Sequence, residues 1–146
     1  TIYFAMKHPI HGSLYRKGGQ LFAVTDDGAV RWSIESTDES TPEGSDPRFY
    51  EWGDVLVGAD GMLYTVRTGR LNVIRPDGKV EYISSDDTYF HPNKRWTSLA
   101  LSDDGVLYVI SNNGLDAIQT NSKGLAGSSW PKTGCGRKNA YRYGAP

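Results

Sequence analysis

Apolar residues along this chain recur at every second position in short runs, and each run stops at a cluster of Gly, Asp, Asn or Ser. That period is the period of a half-buried strand, and the clusters are hairpin signals. The segment GADGMLYTV, from Gly58 to Val66, has the form: an Asp-Gly pair, then alternation. LSDDGVLYVI, from Leu101 to Ile110, has it again. No segment sustains a 3.6-residue period, so the pattern predicts an all-β protein with no helix longer than about ten residues.

The two phrases belong to a longer repeat. Trp52 stands nine residues before Gly61, and Trp96 stands nine before Gly105. Met62-Leu63-Tyr64 is matched by Val106-Leu107-Tyr108, and Leu71 by Leu115, forty-four residues on. Upstream, GGQLFAVTDDGAVRWSI (Gly18 to Ile34) aligns with TGRLNVIRPDGKVEYI (Thr68 to Ile83) at an offset of fifty, and TIYFA reads as a copy of MLYTV. Each unit holds four runs of period two separated by hairpin signals, with Asp-Gly supplying the positive φ angles of the first turn. Three such units predict one domain of β-propeller blades, four-stranded antiparallel repeats of about 44 residues that must stack to bury both faces. The expected boundaries are 1–35 for the first blade (its first strand missing), 50–84 for the second, 95–130 for the third and 131–146 for a closing tail.

The unit DGMLYTVRTGRLNVIRPDGKVEYI resembles the blade repeat of pyrroloquinoline-quinone-like propellers. That family includes quinoprotein alcohol dehydrogenases and a bacterial outer-membrane assembly lipoprotein that carries the repeat without a cofactor. TDDGAVRWSI resembles its fourth-strand ending, where a Trp closes the blade, and SSWPKTGCGRKNAYRYG resembles the Trp-Pro segment after a last blade. The resemblance covers nearly the whole chain and implies a bacterial periplasmic, cell-surface or secreted setting. It speaks for fold more than for function, because the repeat is scaffold. The enzymatic branch places carboxylate, Asn and calcium ligands in the central channel above adjacent cysteines. Here Cys135 is the single cysteine, and only Trp32 stands at a strand end of the docking type. The expectation is a non-catalytic scaffold or binding module with no cofactor. The alternatives are a C-terminal piece of a quinoprotein-type enzyme and a carbohydrate-binding propeller.

Composition narrows the picture further. The 146 residues are 23% charged and 38% hydrophobic, which suits a globular chain. A net charge of -1 gives no field calling for nucleic acid. No apolar run approaches the roughly 18 residues of a membrane span. Nine Tyr, four Trp, four Phe and seventeen Gly fit sheets joined by tight turns. The chain opens on TIYFAM without an initiating Met or a signal-peptide pattern, as a mature form or a piece of a longer protein would.

Candidate chemistry is sparse. His8 and His11 sit three apart around Pro9, with His91 the remaining histidine, and read as polar loop residues rather than metal ligands. The Asp pairs 26–27, 86–87 and 103–104 suggest paired catalytic carboxylates, but two of them fall at hairpin turns, where Asp serves the local backbone. No serine-hydrolase elbow, phosphate loop or zinc-protease motif is present. Glu35 to Pro47 carries five carboxylates and no base, a solvated loop whose sharper reading is calcium or partner docking. From Ala117 onward there are five Lys or Arg and no acid. The long connectors between blades contain RFYEW and YFHPNKRW, so Tyr50, Tyr89, Phe90 and Arg95 are the contact candidates for a ligand or protein partner. Trp52 and Trp96 join them, although their repeat position equally suits packing between blades.

Propellers close with four to eight blades, and three units fall short. Asn139, Ala140, Tyr141, Arg142 and Tyr143 alternate like a strand and are expected to pair with an exposed edge. The implied partners are a second copy, another protein, or the remaining blades of a parent chain.

Overall fold

A computed structural model of the chain describes residues 1–6, 19–35, 52–67, 70–84, 98–111 and 114–127. They form ten strands: β1 (Ile2–Met6), β2 (Gln20–Val24), β3 (Val30–Glu35), β4 (Trp52–Val57), β5 (Leu63–Arg67), β6 (Arg70–Ile74), β7 (Val80–Ile83), β8 (Ser98–Leu101), β9 (Val106–Ser111) and β10 (Gly114–Gln119). There is no helix among the described residues. The strands make three antiparallel sheets: β1-β2-β3, β4-β5-β6-β7 and β8-β9-β10.

The sheets repeat one another in register. Leu63 pairs with Ile74 and Tyr64 with Val73 in the second sheet. The same positions pair in the first, Ile2 with Val24 and Tyr3 with Ala23, and in the third, Leu107 with Ile118 and Tyr108 with Ala117. Even the bulge recurs, between Ala23 and Val24 and again between Val73 and Ile74. Because side chains alternate with period two, this shared register sends equivalent residues to equivalent faces.

The turns explain how the register is held. In Thr25–Ala29, Gly58–Met62, Arg75–Lys79 and Ser102–Val106, the first N–H donates to the fifth carbonyl at 2.8 to 3.0 Å. The fourth residue, always Gly, donates back to the first carbonyl at 2.9 to 3.1 Å. This is a three-residue loop, a type I turn followed by a left-handed glycine. The glycine takes φ of +81° to +88° at all four places. The Asp before it is a local acceptor: Asp60 Oδ1 takes the Met62 N–H and Asp77 Oδ1 the Lys79 N–H, each at 3.1 Å. Asp27 accepts from the Thr25 hydroxyl, which holds its carboxyl below the usual range.

One predicted strand takes another course. Four runs per unit predict that the run starting at Leu125 pairs with β10 as a fourth strand. Instead Leu125 bridges Gly58 of the second sheet, with Ala126 N–H donating to Val57 O (2.8 Å) and Ala59 N–H to Gly124 O (2.9 Å). Four residues after Ile74 comes Gly78, but four after Ile118 comes Ser122. A serine pays a penalty for the left-handed conformation that the loop demands. The chain runs on to Gly124, turns there at φ +87°, and crosses to the neighbouring sheet as a strap. The third sheet therefore has three strands among the described residues, as the first does.

Strand β4 lies beside β1 on one side and β8 on the other. The middle sheet is apolar on both faces. One side buries Trp52, Val55, Leu63 and Ile74 against Leu21, with Tyr3, Trp32 and Ile34 packed around them. The other buries Leu56, Tyr64, Val66 and Leu71 against Leu99, Leu101, Leu107, Val109 and Leu125. Each such Leu is worth about 1.5 to 3 kcal/mol relative to exposure. Polar side chains are buried as well, among them Thr65, which donates to Gly53 O at 3.5 Å, and Asn72, which donates to Arg70 O at 2.8 Å.

The loop glycines separate two costs. A Cβ on Gly28 meets nothing within 4 Å, whereas one on Gly105 runs into the Ser122 carbonyl. Gly28→Ala should lose about 1 to 2 kcal/mol from left-handed strain alone. Gly105→Ala adds a backbone collision and should lose about 3 kcal/mol or more. Urea unfolding of the two variants checks this; equal losses would show that conformation alone governs the loop.

Candidate functional site

The two interfaces of the middle sheet share a template and are filled differently. Between the first and second sheets, β3 brings in Trp32 and Ile34. The Trp32 indole N–H donates to Pro76 O at 2.9 Å. Its ring lies against Gly78, where a Cβ would come within 2.9 Å of it, and 5.8 Å from the Tyr3 ring. Ala23 pairs with Trp32 as Val73 pairs with Tyr82, and Phe22 pairs with Ser33 as Asn72 pairs with Ile83. The second sheet thus carries Tyr82 and Ser84 where the first carries Trp32 and Ile34.

Neither fills the space. Tyr82 is 53% exposed. Ser84 is buried, but its hydroxyl is held at the backbone, accepting from Leu71 N–H at 3.1 Å. A cavity of about 860 Å³ opens between the second and third sheets. Its lining is mixed, with apolar surface from Met62, Leu71 and Val73 on one side and Leu107 and Ile118 on the other. Around them stand Asp60, Glu81, Asp116 and Arg75. Arg75 lies 3.7 Å from Asp77 and 3.8 Å from Glu81. The strap closes one end: Thr120 lines the cavity, its hydroxyl donates to Gly105 O at 2.8 Å, and Ser122 Oγ donates to Gly124 O at 2.9 Å.

Tyr64 stands at the bottom of this space, 3% exposed, with its hydroxyl donating to Asp60 Oδ2 at 3.3 Å. Asp60 therefore spans turn and cavity, since its other oxygen caps the loop. Burial raises the Tyr64 phenol above its ordinary value; a hydrogen bond with Thr120 opposes the shift, and the Asp60 carboxylate adds to it. Tyr3, at the equivalent place in the first sheet, is raised by burial too.

Of the predicted contact residues, only Trp52 lies among the described residues. It is 5% exposed, in the core between the first two sheets, with the Arg67 guanidinium 5.0 Å from its ring centre. That is the packing role its repeat position suggested. Among the described residues its buried Nε1 has no hydrogen-bond partner. Tyr50, Tyr89, Phe90, Arg95, Trp96 and the edge-pairing segment Asn139 to Tyr143 lie outside the described residues. So do His8, His11, His91, the Asp86–Asp87 pair and Cys135. Among the described residues no group of three or more His, Cys, Asp or Glu could hold a metal ion, and no helix is long and apolar enough to cross a membrane. The cavity was not anticipated. Its signal is two substitutions inside the repeat, Trp32 to Tyr82 and Ile34 to Ser84, visible once positions fifty apart are compared.

No protein-family model and no curated protein sequence matches the chain.

A phenol that folding keeps protonated stabilises the native state below the unfolded value, and that contribution is lost as pH rises through the folded one. Stability should therefore be flat near neutrality and fall above about pH 10. Tyr64→Phe, tested by denaturant unfolding across pH 8 to 11, should reduce that alkaline loss relative to the parent chain. An unchanged alkaline slope would assign the loss to other groups.

Proposed function

We propose that this chain is a non-catalytic scaffold or binding module made of propeller blades of the pyrroloquinoline-quinone-like kind, working through contacts with proteins or ligands. The observation that carries the reading is the common register of the three sheets, including the shared bulge and the shared three-residue loop. Most of the described strand residues fall at positions of that repeat. A chain spent this way on stacking offers its connectors and inter-sheet surfaces for recognition.

The free faces of the outer sheets point the same way. On the third sheet Ile110 and Leu115 are 50% and 62% exposed, while their counterparts Val66 and Leu71 are buried in the middle sheet. On the first sheet Ile2 and Met6 are half exposed, and Phe4 stacks on Phe22 at 5.5 Å. The counterpart of Ile2 is Leu63, at 0% exposure. Apolar faces of this kind mark surfaces that take a partner, either further blades or another copy. Tyr50, Tyr89, Phe90 and Arg95 remain the connector candidates in this reading.

Analytical ultracentrifugation of the chain should show association that grows with concentration, and Leu115→Glu should weaken it. A monomer at every concentration, equal to the variant, would refute the partner role of these faces. Added quinone and calcium should produce neither a bound chromophore nor dehydrogenase activity. Turnover lost on changing a single side chain would overturn the non-catalytic reading.

A further inference from the structure

We propose that the cavity between the second and third sheets is a docking site for an aromatic side chain flanked by basic residues on an extended peptide. The proposal rests on the binding-module reading and gives it a ligand class. The protein itself supplies the comparison: at the equivalent place in the first interface, an indole already fills the space. There Trp32 packs against the cluster that contains Leu21, Leu63 and Ile74 and satisfies its N–H on Pro76 O. In the second interface the apolar walls recur as Leu71, Leu107 and Ile118, but the plug is a half-exposed Tyr82 and a short Ser84. The volume, about 860 Å³, lies within the range of small-ligand pockets.

Polar partners for the same ring are in place. Thr120 stands forty-four residues after Pro76 and lines the cavity. Its carbonyl accepts from Gln119 Nε2 at 3.1 Å, and a carbonyl has a second lone pair for an indole N–H. Charge selects what flanks the ring. Three carboxylates, of Asp60, Glu81 and Asp116, face one guanidinium, of Arg75, which lies within 3.8 Å of Glu81. The balance, three negative against one positive, favours Lys or Arg beside the anchor and disfavours Asp or Glu. Aromatic anchors in desolvated pockets carry most of the energy of such contacts.

Isothermal titration calorimetry of the whole chain with N-acetyl-Lys-Trp-Lys-amide tests the proposal. Saturable binding is expected, about tenfold weaker for the Lys-Ala-Lys and Glu-Trp-Glu analogues. Asp116→Asn should weaken it by about threefold, with a smaller salt dependence. Tyr82→Trp places in the second sheet the plug of the first, and should abolish binding while raising the unfolding midpoint. Equal affinity for Glu-Trp-Glu, full binding to Tyr82→Trp, or no heat from Lys-Trp-Lys would each overturn the proposal. Peptides of other composition and neutral oligosaccharides form the separating arm. Binding of one of these that Tyr82→Trp removes sinks the ligand class and leaves the binding module standing. Silence from every probe sinks both.

Discussion

The middle sheet of this protein is apolar on both faces and could not be an outer wall without exposing what it buries. Leu63 and Thr65 point to one neighbour and Tyr64 and Val66 to the other, and all four are buried. A strand of that composition gains its stability only between two partners. Stacking is thus a condition of that sheet's existence, as in other repeat proteins, where neighbours supply one another's core.

The stack works because register is set locally and consistently. A one-residue slip in any pairing would turn Leu63 or Leu107 to the wrong interface. Four copies of one loop guard against it, each with a glycine in the left-handed region and each with a backbone or hydroxyl hydrogen bond to the preceding Asp. Where the loop fails, the fold changes. Ser122 occupies the place of the glycine, and the chain leaves β10 to bond with Val57 and Ala59 of the sheet beside it. The loss of a fourth-strand pairing is offset by a tie between sheets that buries Leu125.

What could be read from the residues alone was whatever the repeat states twice. The forty-four and fifty-residue offsets located the strands, the hairpins and the equivalence of Leu63 and Tyr64 with Leu107 and Tyr108. The strap was not readable as a strap, because TNSKGL contains the right residue types for a turn and only the loop's strict demand at its fourth position rules the hairpin out. Trp52 was readable as a repeat residue whose position suits packing between sheets, though an aromatic at a strand start suits a partner surface as well. The cavity escaped because alternation in VEYIS satisfies the strand pattern whether or not its side chains reach across. Pattern reports which face a residue takes; it does not report how far the side chain extends.

That distinction bears on where function resides in a repeat. Identical positions do identical structural work, so the places where the units differ are free of it. Trp32 and Ile34 are committed to closing an interface, through an indole hydrogen bond and packing on Gly78. Tyr82 and Ser84 inherit the same positions without the same obligation. The third sheet is secured instead by the strap and by the inner row of Leu56, Leu99 and Leu101. With that row carrying the contact, the outer part of the interface can stay open at little cost in stability. The carboxylates of Asp60, Glu81 and Asp116 line this opening. An interface that repeats its packing on one side and relaxes it on the other has kept a scaffold and gained a surface.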